Sequence, residues 1–430
     1  MLKQYFRFVI PSIFSMVIFN LYTLVDGIFV AHFVNATALA GINVASPYIT
    51  IIFAIGVLFA IGSSTVMSIY RGQNNTVMMH KVFTMNSITI SCIALLISIS
   101  SFFFSTTITS FLGANAEVFS YSSRYIRIIS CFAFFYIVAY CFEVLLKADG
   151  YPHKSIIGVA IGAFSNIALD AIFMGVLSFG LPGAALATGI SQMLTFCYFL
   201  SHFIGNKKSH FHFVKGPYPW KEYRRLFVLG LSDFIAELSP GIMIMAFNYR
   251  INQLLSTSGL VSFSVIIYIY NLVLMAMVGI SQGTQPLLSY YYGKKDRSAM
   301  HQIHRYARIL VSVLSVLLFL IIELFAPIIV SFFLTNGNNY QTTIFALRIF
   351  ALVFLPMGHV VITSGMLTAV EKPKQSLLLS LLRGIFFIIA SLYLCTYLWH
   401  ANGIWISPLL SELFTLIIAL YFLHQQRHLL

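Results

Sequence analysis

Long apolar runs alternate with short polar punctuation along the whole chain. Read against Gly, Pro and charged residues, they predict helices over residues 5–33, 37–70, 80–112, 118–148, 153–177 and 180–204. A second set follows over 225–253, 258–291, 303–333, 344–370, 375–399 and 402–425. A bilayer core is crossed by about 20 helical residues, so each run is read as one span. Several runs exceed that length, which implies tilt or protrusion into water. The long hydrophilic interruption at residues 205–224 (GNKKSHFHFVKGPYPWKEYR) falls between the two sets.

The two sets repeat each other. At an offset of 221 residues Leu39 meets Leu260, Val44 meets Val265, Val57 meets Val278 and Gly62 meets Gly283. Tyr70-Arg71-Gly72 meets Tyr291-Tyr292-Gly293, and Ala148, Pro152 and Ser155 meet Ala369, Pro373 and Ser376. In the last helix the offset slips to 220, where Gly183 meets Gly403 and Thr195 meets Thr415. A single offset held over about half a repeat marks an internal duplication. Six spans separate equivalent elements, so both copies start on the same side and the repeat is parallel, about an axis along the membrane normal. The expected fold is an all-α membrane protein of twelve transmembrane helices in two six-helix lobes, 1–204 and 225–430, joined by a cytoplasmic linker at 205–224.

Composition agrees: 59% of residues are hydrophobic and 9% charged, far from a soluble domain. Of the 25 Lys and Arg, 21 fall on one side of the predicted spans, and Arg124, Arg127, Arg250 and Arg348 fall on the other. The positive-inside rule then puts both termini in the cytoplasm of a multi-pass cell-membrane protein. The net charge of +13 follows from topology and anionic lipid and requires no nucleic-acid partner. Lys3 and Arg7 precede an apolar stretch too long for a signal-peptide core, which is read as the first span. The cysteines at 92, 131, 141, 197 and 395 lie in apolar runs without ligand spacing and read as packing residues. His210 and His212 of the linker read as solvated loop residues, and no metal site or cofactor is expected.

Carboxylates inside the spans carry the functional expectation. Glu117, Asp149, Glu222, Asp296 and Glu371 lie at loops and need no special role, whereas Asp26, Asp170, Glu237, Glu323 and Glu412 lie within apolar runs. A carboxylate at a helix centre costs about 2.5–3.5 kcal/mol on insertion scales unless it is hydrated, paired or protonated, so it is read first as a cation or proton site. Asn166 and Asp170 are four residues apart in NIALDAIF and share one helix face. Thr188 sits in GLPGAALATGIS, whose small residues permit close helix approach. With Asp26 these side chains offer hard oxygen donors that suit sodium or protons. GVAIG, residues 158–162, reads as a packing face within one lobe. Glu412 faces either the lobe interior or a structural partner, and Glu323, just before Ala326-Pro327, reads as structural. Pro240-Gly241 and Pro356 are candidate bends.

VDGIFVAH in the first helix, ADGYPHKS after the fourth, NIALD in the fifth and GLPGAALATG in the sixth resemble the multidrug and toxic compound extrusion (MATE) family. AELSPGIMIMAFN in the seventh and the paired turns YRGQNN and YYGKKD extend the resemblance over nearly the whole chain. It implies a two-lobed exporter of cationic amphiphilic compounds, driven by inward proton or sodium flow, acting as a monomer in the bilayer. It also implies that Asp26, Asn166, Asp170 and Thr188 form the cation-coupling site of the DinF-like branch. Glu237 matches a seventh-helix glutamate of other branches and is expected to bind cationic substrate. The tenth helix, LPMGHVVITSGML, departs from those branches by lacking an acid, which favours coupling in the amino-terminal lobe. His359 in that helix reads as packing.

Two other classes of function compete with this reading. A lipid-linked sugar flippase of the same superfamily would usually carry about fourteen spans and a more basic cavity. An intramembrane acyl or glycosyl transferase would need convergent catalytic groups, and His80, His153, His301 and His304 form no pair with a nucleophile.

Overall fold

The computed structural model describes residues 1–334 and 337–427 and is almost wholly helical. The helices are α1 (Leu2–Phe33), α2 (Ala36–Gly72), α3 (Thr76–Phe103), α4 (Ser105–Phe111), α5 (Ala116–Asp149), α6 (Pro152–Asp170) and α7 (Leu181–Gly205). They continue as α8 (Trp220–Lys294), α9 (Arg297–Ser331), α10 (Asn338–Ala351), α11 (Phe354–Ala369), α12 (Pro373–Leu381) and α13 (Phe387–Gln425). Among the described residues nine helical runs are long and apolar enough to cross a bilayer, and the bent pair α10–α11 makes a tenth. Two of the nine each hold two spans: α8 breaks at Ser256, and the run Pro373–Gln425 breaks at Trp399 and His400. Twelve spans result, as the apolar pattern predicts.

Four predicted spans are more broken than periodicity indicates. The third ends at Phe103, and α4 resumes separately after Phe104. The fifth closes in a π-helical turn, Ala171–Val176, and a second π turn, Leu382–Phe386, joins α12 to α13. The tenth bends by 44° between α10 and α11. Pro356 follows that break. It has no N–H for the carbonyl of Leu352, which instead accepts the tighter i+3 bond from the Leu355 amide at 3.3 Å.

The chain forms two compact units, residues Ile10–Phe234 and residues Met1–Val9 with Ile235–Leu430. In the first, α5 is central and packs on α2, α3 and α7, while α6 lies on α7. Glycines set the closest approaches. A Cβ at Gly62 would run into the Leu226 carbonyl, and one at Gly230 into that of Leu58, so α2 and the start of α8 cross backbone to backbone. Gly158 and Gly162 of GVAIG lie against Phe199 and Thr195 of α7. In the second unit α9 packs on α10 and α11, and α11 on α13.

Backbone detail repeats at the same offset as sequence. Asn75 caps α3 by accepting from the Met78 amide at 3.1 Å, and 221 residues on Asp296 caps α9 by accepting from Ala299 at 3.0 Å. The residues before the caps, Asn74 and Lys295, both take positive φ, 58° and 60°. Gly150, with φ 96°, has its counterpart in Glu371, with φ 57°. A position that glycine fills without strain in one copy is therefore held by a side-chain residue in the other.

The hydrophilic stretch after α7 is held down through its backbone, while the side chain of His210 stays exposed and that of His212 half-buried. Phe211 is fully buried, and the amides of His210, His212 and Val214 donate to Asp149 Oδ1 (2.7 Å), His80 Nδ1 (3.2 Å) and Thr84 Oγ1 (3.0 Å). Partial desolvation, and then the Arg71 guanidinium nearby, hold the His210 imidazole below its ordinary range.

Candidate functional site

Asp170 is the last α-helical residue of α6, where the chain passes into the π turn. Such turns shift the hydrogen-bond register and often mark functional positions. The Asp170 side chain is completely buried, as is Asn166 one turn earlier. Asp26 of α1, half-buried, brings its carboxyl within hydrogen-bonding reach of the Asp170 carboxyl. Asn166 Nδ2 donates to Thr188 Oγ1 of α7 at 3.5 Å, and Tyr125 of α5 reaches the same threonine. The four residues expected to form one cluster are thus brought together from α1, α6 and α7.

The cluster has acceptors in excess. Asp26 Oδ1, both oxygens of Asp170 and Asn166 Oδ1 are buried and meet no donor. Buried polar groups are nearly always satisfied, and two carboxylates in contact repel unless a proton or cation lies between them. This donor set fits a hard cation or a shared proton. Tyr125 has no distinguishing mark in the sequence, where aromatic residues crowd every span. It enters the cluster because α5 runs through the middle of the unit.

One turn along α1 and α7 from Asp26 and Thr188, Gln192 Nε2 donates to the Tyr22 hydroxyl at 3.2 Å. Beside that bond lies a small cavity lined among others by Tyr22, Gln192, Phe53, Val159, Phe199 and Glu143. Glu143 pairs with Lys147 at 2.9 Å and accepts from Ser155 Oγ at 2.9 Å, and Lys147 is completely buried. The sequence reading overlooked Glu143. Its Glu-xxx-Lys spacing was the available signal, but Lys147 had been assigned to the end of the span.

Asp149 also corrects its loop-side reading. It is 1% exposed and accepts from His202 Nε2 (2.7 Å), Ser209 Oγ (2.8 Å) and the His210 amide (2.7 Å). Lys154 Nζ donates to His202 Nδ1 at 2.9 Å. His202 therefore bridges Lys154 and Asp149.

Asp233 of α8 belongs to the first unit, whereas Glu237, Glu323 and Glu412 belong to the second. Glu237 lies half-buried in α8. Glu412 is 5% exposed and accepts from Arg383 Nε at 2.7 Å, so it has the structural partner that was one of its two readings. Arg383 sits in the second π turn with Tyr270 beside the pair. Glu323 faces Arg348 at 3.6 Å, half-exposed, and His359 shares a 3.2 Å hydrogen bond with Ser312.

Comparison with known proteins fits this arrangement. The family model MatE matches residues 11–172 and 235–394, one match in each half. "Multidrug export protein MepA" of Staphylococcus haemolyticus (strain JCSC1435) is 23% identical over 99% of this chain and 94% of its own length. MepA of Staphylococcus aureus (strain MRSA252) is 22% identical over 95% of this chain and 90% of its own length. Among solved structures, the outward-facing conformation of a multidrug resistance MATE family transporter of the MOP superfamily superposes with a TM-score of 0.94. It does so at 21% identity, over 99% of this chain and 95% of that one. A MOP superfamily transporter from Pyrococcus furiosus superposes at 0.92, with the same identity and coverage.

Proposed function

The chain belongs to the MatE family, and on that premise we propose that it is a proton- or sodium-coupled antiporter expelling cationic amphiphilic drugs and toxins by alternating access. Proteins of this family are membrane transporters and not enzymes. The match supports neither a lipid-linked sugar flippase nor an intramembrane transferase. The observation that carries the coupled reading is the Asp26–Asp170 pair with Asn166, whose buried oxygens meet no donor of their own. A proton or sodium ion at that pair removes the repulsion, and its departure restores it. Cation loading and unloading thus bias the packing of α1 against α6, the kind of two-state element that coupling needs. Thr188 and Tyr125 complete the oxygen set. The multidrug export function of the MepA relatives supports small-molecule substrates, and the Lys and Arg asymmetry supports a cell-membrane protein with both termini cytoplasmic.

The test is ethidium efflux from proteoliposomes under an imposed proton or sodium gradient, with each gradient applied alone. Efflux that follows one gradient and stops when it is collapsed fits the proposal; gradient-independent efflux rejects it.

Glu237 is assigned to substrate. A partly desolvated carboxylate attracts a bound cation and is indifferent to a neutral molecule. Glu237→Gln is expected to raise the half-saturating concentration of a cationic drug about tenfold, corresponding to ~1.4 kcal/mol, and to leave that of a neutral drug unchanged. Equal losses for both drugs, measured side by side, would move Glu237 to the coupling machinery.

A further inference from the structure

We infer that Glu143 is a second station for the coupling cation, through which it leaves the Asp26–Asp170 pair across the Tyr22–Gln192 cavity toward the cytoplasmic face. The inference rests on the coupled reading above and adds a route to it.

Three observations carry it. The first is alignment. Tyr22 lies four residues before Asp26 on α1 and Gln192 four after Thr188 on α7, and both line the cavity that Glu143 also lines. These residues step from the carboxylate pair toward the end of the unit that holds Asp149 and Lys154, the end made cytoplasmic by its basic residues. The cavity has room for only one or two waters, and Tyr22 and Gln192, which line it, are hydrogen-bonded to each other.

The second is chemical. Glu143 is 3% exposed, an acidic group buried in an aromatic-lined cavity, with the Lys147 ammonium at 2.9 Å. A cation crossing such a cavity without an intermediate acceptor meets a steep desolvation barrier, which an anionic oxygen part-way lowers. For a proton the balance is simple. The Asp26–Asp170 pair gives up one proton through water to the Glu143 carboxylate, which becomes a neutral carboxyl. Glu143 then releases that proton to the inner face and returns to its pair with Lys147. The fixed ammonium keeps the stop brief.

The third comes from the repeat. At the 221-residue offset Glu143, Lys147 and Ser155 correspond to Ser364, Thr368 and Ser376. There the same helix contact is made by hydroxyls, with Ser376 Oγ at 3.2 Å from Ser364 Oγ and 2.9 Å from Thr368 Oγ1. The fold closes this junction without charge in one copy, so packing does not require the ion pair in the other. The charged version occurs in the unit that holds the carboxylate pair.

The repeat also supplies the test variant, Glu143→Ser with Lys147→Thr, which installs the solution of the other copy and strands no buried charge. In proteoliposomes it is expected to cut gradient-driven ethidium efflux at least fivefold, with ethidium affinity in detergent unchanged and cation-induced release of bound ethidium intact. Glu143→Asp, which keeps the carboxylate, is expected to retain most of the rate. A reduction smaller than fivefold in the double variant overturns the inference, as does lost ethidium affinity. If the double variant does not reach the membrane, Glu143→Gln with Lys147 kept is judged by the same thresholds. Asp26→Asn is measured in parallel. If it leaves gradient-driven efflux intact, the coupled reading itself fails; if it stops efflux while the double variant runs normally, only the role of Glu143 fails.

Discussion

Asparagine in place of Asp170 is expected to bring gradient-driven efflux down to the background of protein-free vesicles while the protein remains in the membrane. Asparagine has nearly the same shape, so the helix contacts around α6 are kept; what is lost is the charge that a cation neutralises. Asp170 is completely buried and both its oxygens lack donors, so the substitution relieves a repulsion and should not destabilise the fold. Asp26→Asn is expected to act alike, since either variant removes one of the two charges in contact. Thr188→Ala and Tyr125→Phe remove neutral hydrogen-bonding groups, each worth ~1 kcal/mol. They should weaken cation affinity about fivefold without stopping transport. Efflux rate against cation concentration separates these outcomes. If either Asp variant keeps its driven efflux, the pair is structural.

The second large effect is on stability. Arg383 and Glu412 pair at 2.7 Å with side chains 18% and 6% exposed. Removing one member of a buried pair costs about 3–5 kcal/mol, because the other charge is left without compensation. Glu412→Gln should therefore lower the thermal midpoint by roughly 3–6 °C. The repeat again offers a control, because the equivalents of Arg383 and Glu412 are Gly162 and Gln192, both uncharged. Combining Arg383→Met with Glu412→Gln is expected to recover most of the loss, since a well-packed neutral pair can match an ion pair. A scanning-fluorimetry midpoint for Glu412→Gln within about 2 °C of the parent would mean that the pair contributes nothing measurable.

The two copies thus place their buried ion pairs at different levels. The amino-terminal copy has Glu143 with Lys147 and a neutral Gln192; the carboxy-terminal copy has Arg383 with Glu412 and a neutral Ser364–Thr368 junction. Duplicated packing has been kept while charge has been redistributed, and function is expected to follow the charge.

Spans, repeat and the shared face of Asn166 and Asp170 were legible because each is written along the chain itself, whereas the grouping of Asp26 and Thr188 with them was implied only by the resemblance to the MATE family. Hydropathy reports depth in the bilayer, and four-residue spacing reports a shared face. Lateral neighbours leave no such trace. Tyr125 joins the site through a helix distant in sequence. Asp149 read as a loop acid because it sits at a helix end, although the segment at 209–210 folds back over it. Lys147 read as a flank because its charge suggested water, whereas a glutamate one turn earlier allows it to be buried. The π turns were also hidden, since one extra residue in a helical turn barely disturbs an apolar run.

The first helix belongs to both compact units, changing from one to the other beside Pro11. Its opening residues find their partners very late in the chain: the Gln4 carboxamide accepts from the Tyr291 hydroxyl, Tyr5 bonds Thr284, and its ring lies 5.8 Å from that of Tyr306. At ribosomal speed those partners emerge about 15–60 s after Tyr5 itself. The start of α1 therefore docks only after Thr284 and Tyr291 have been made, and a chain broken off before residue 284 leaves it undocked.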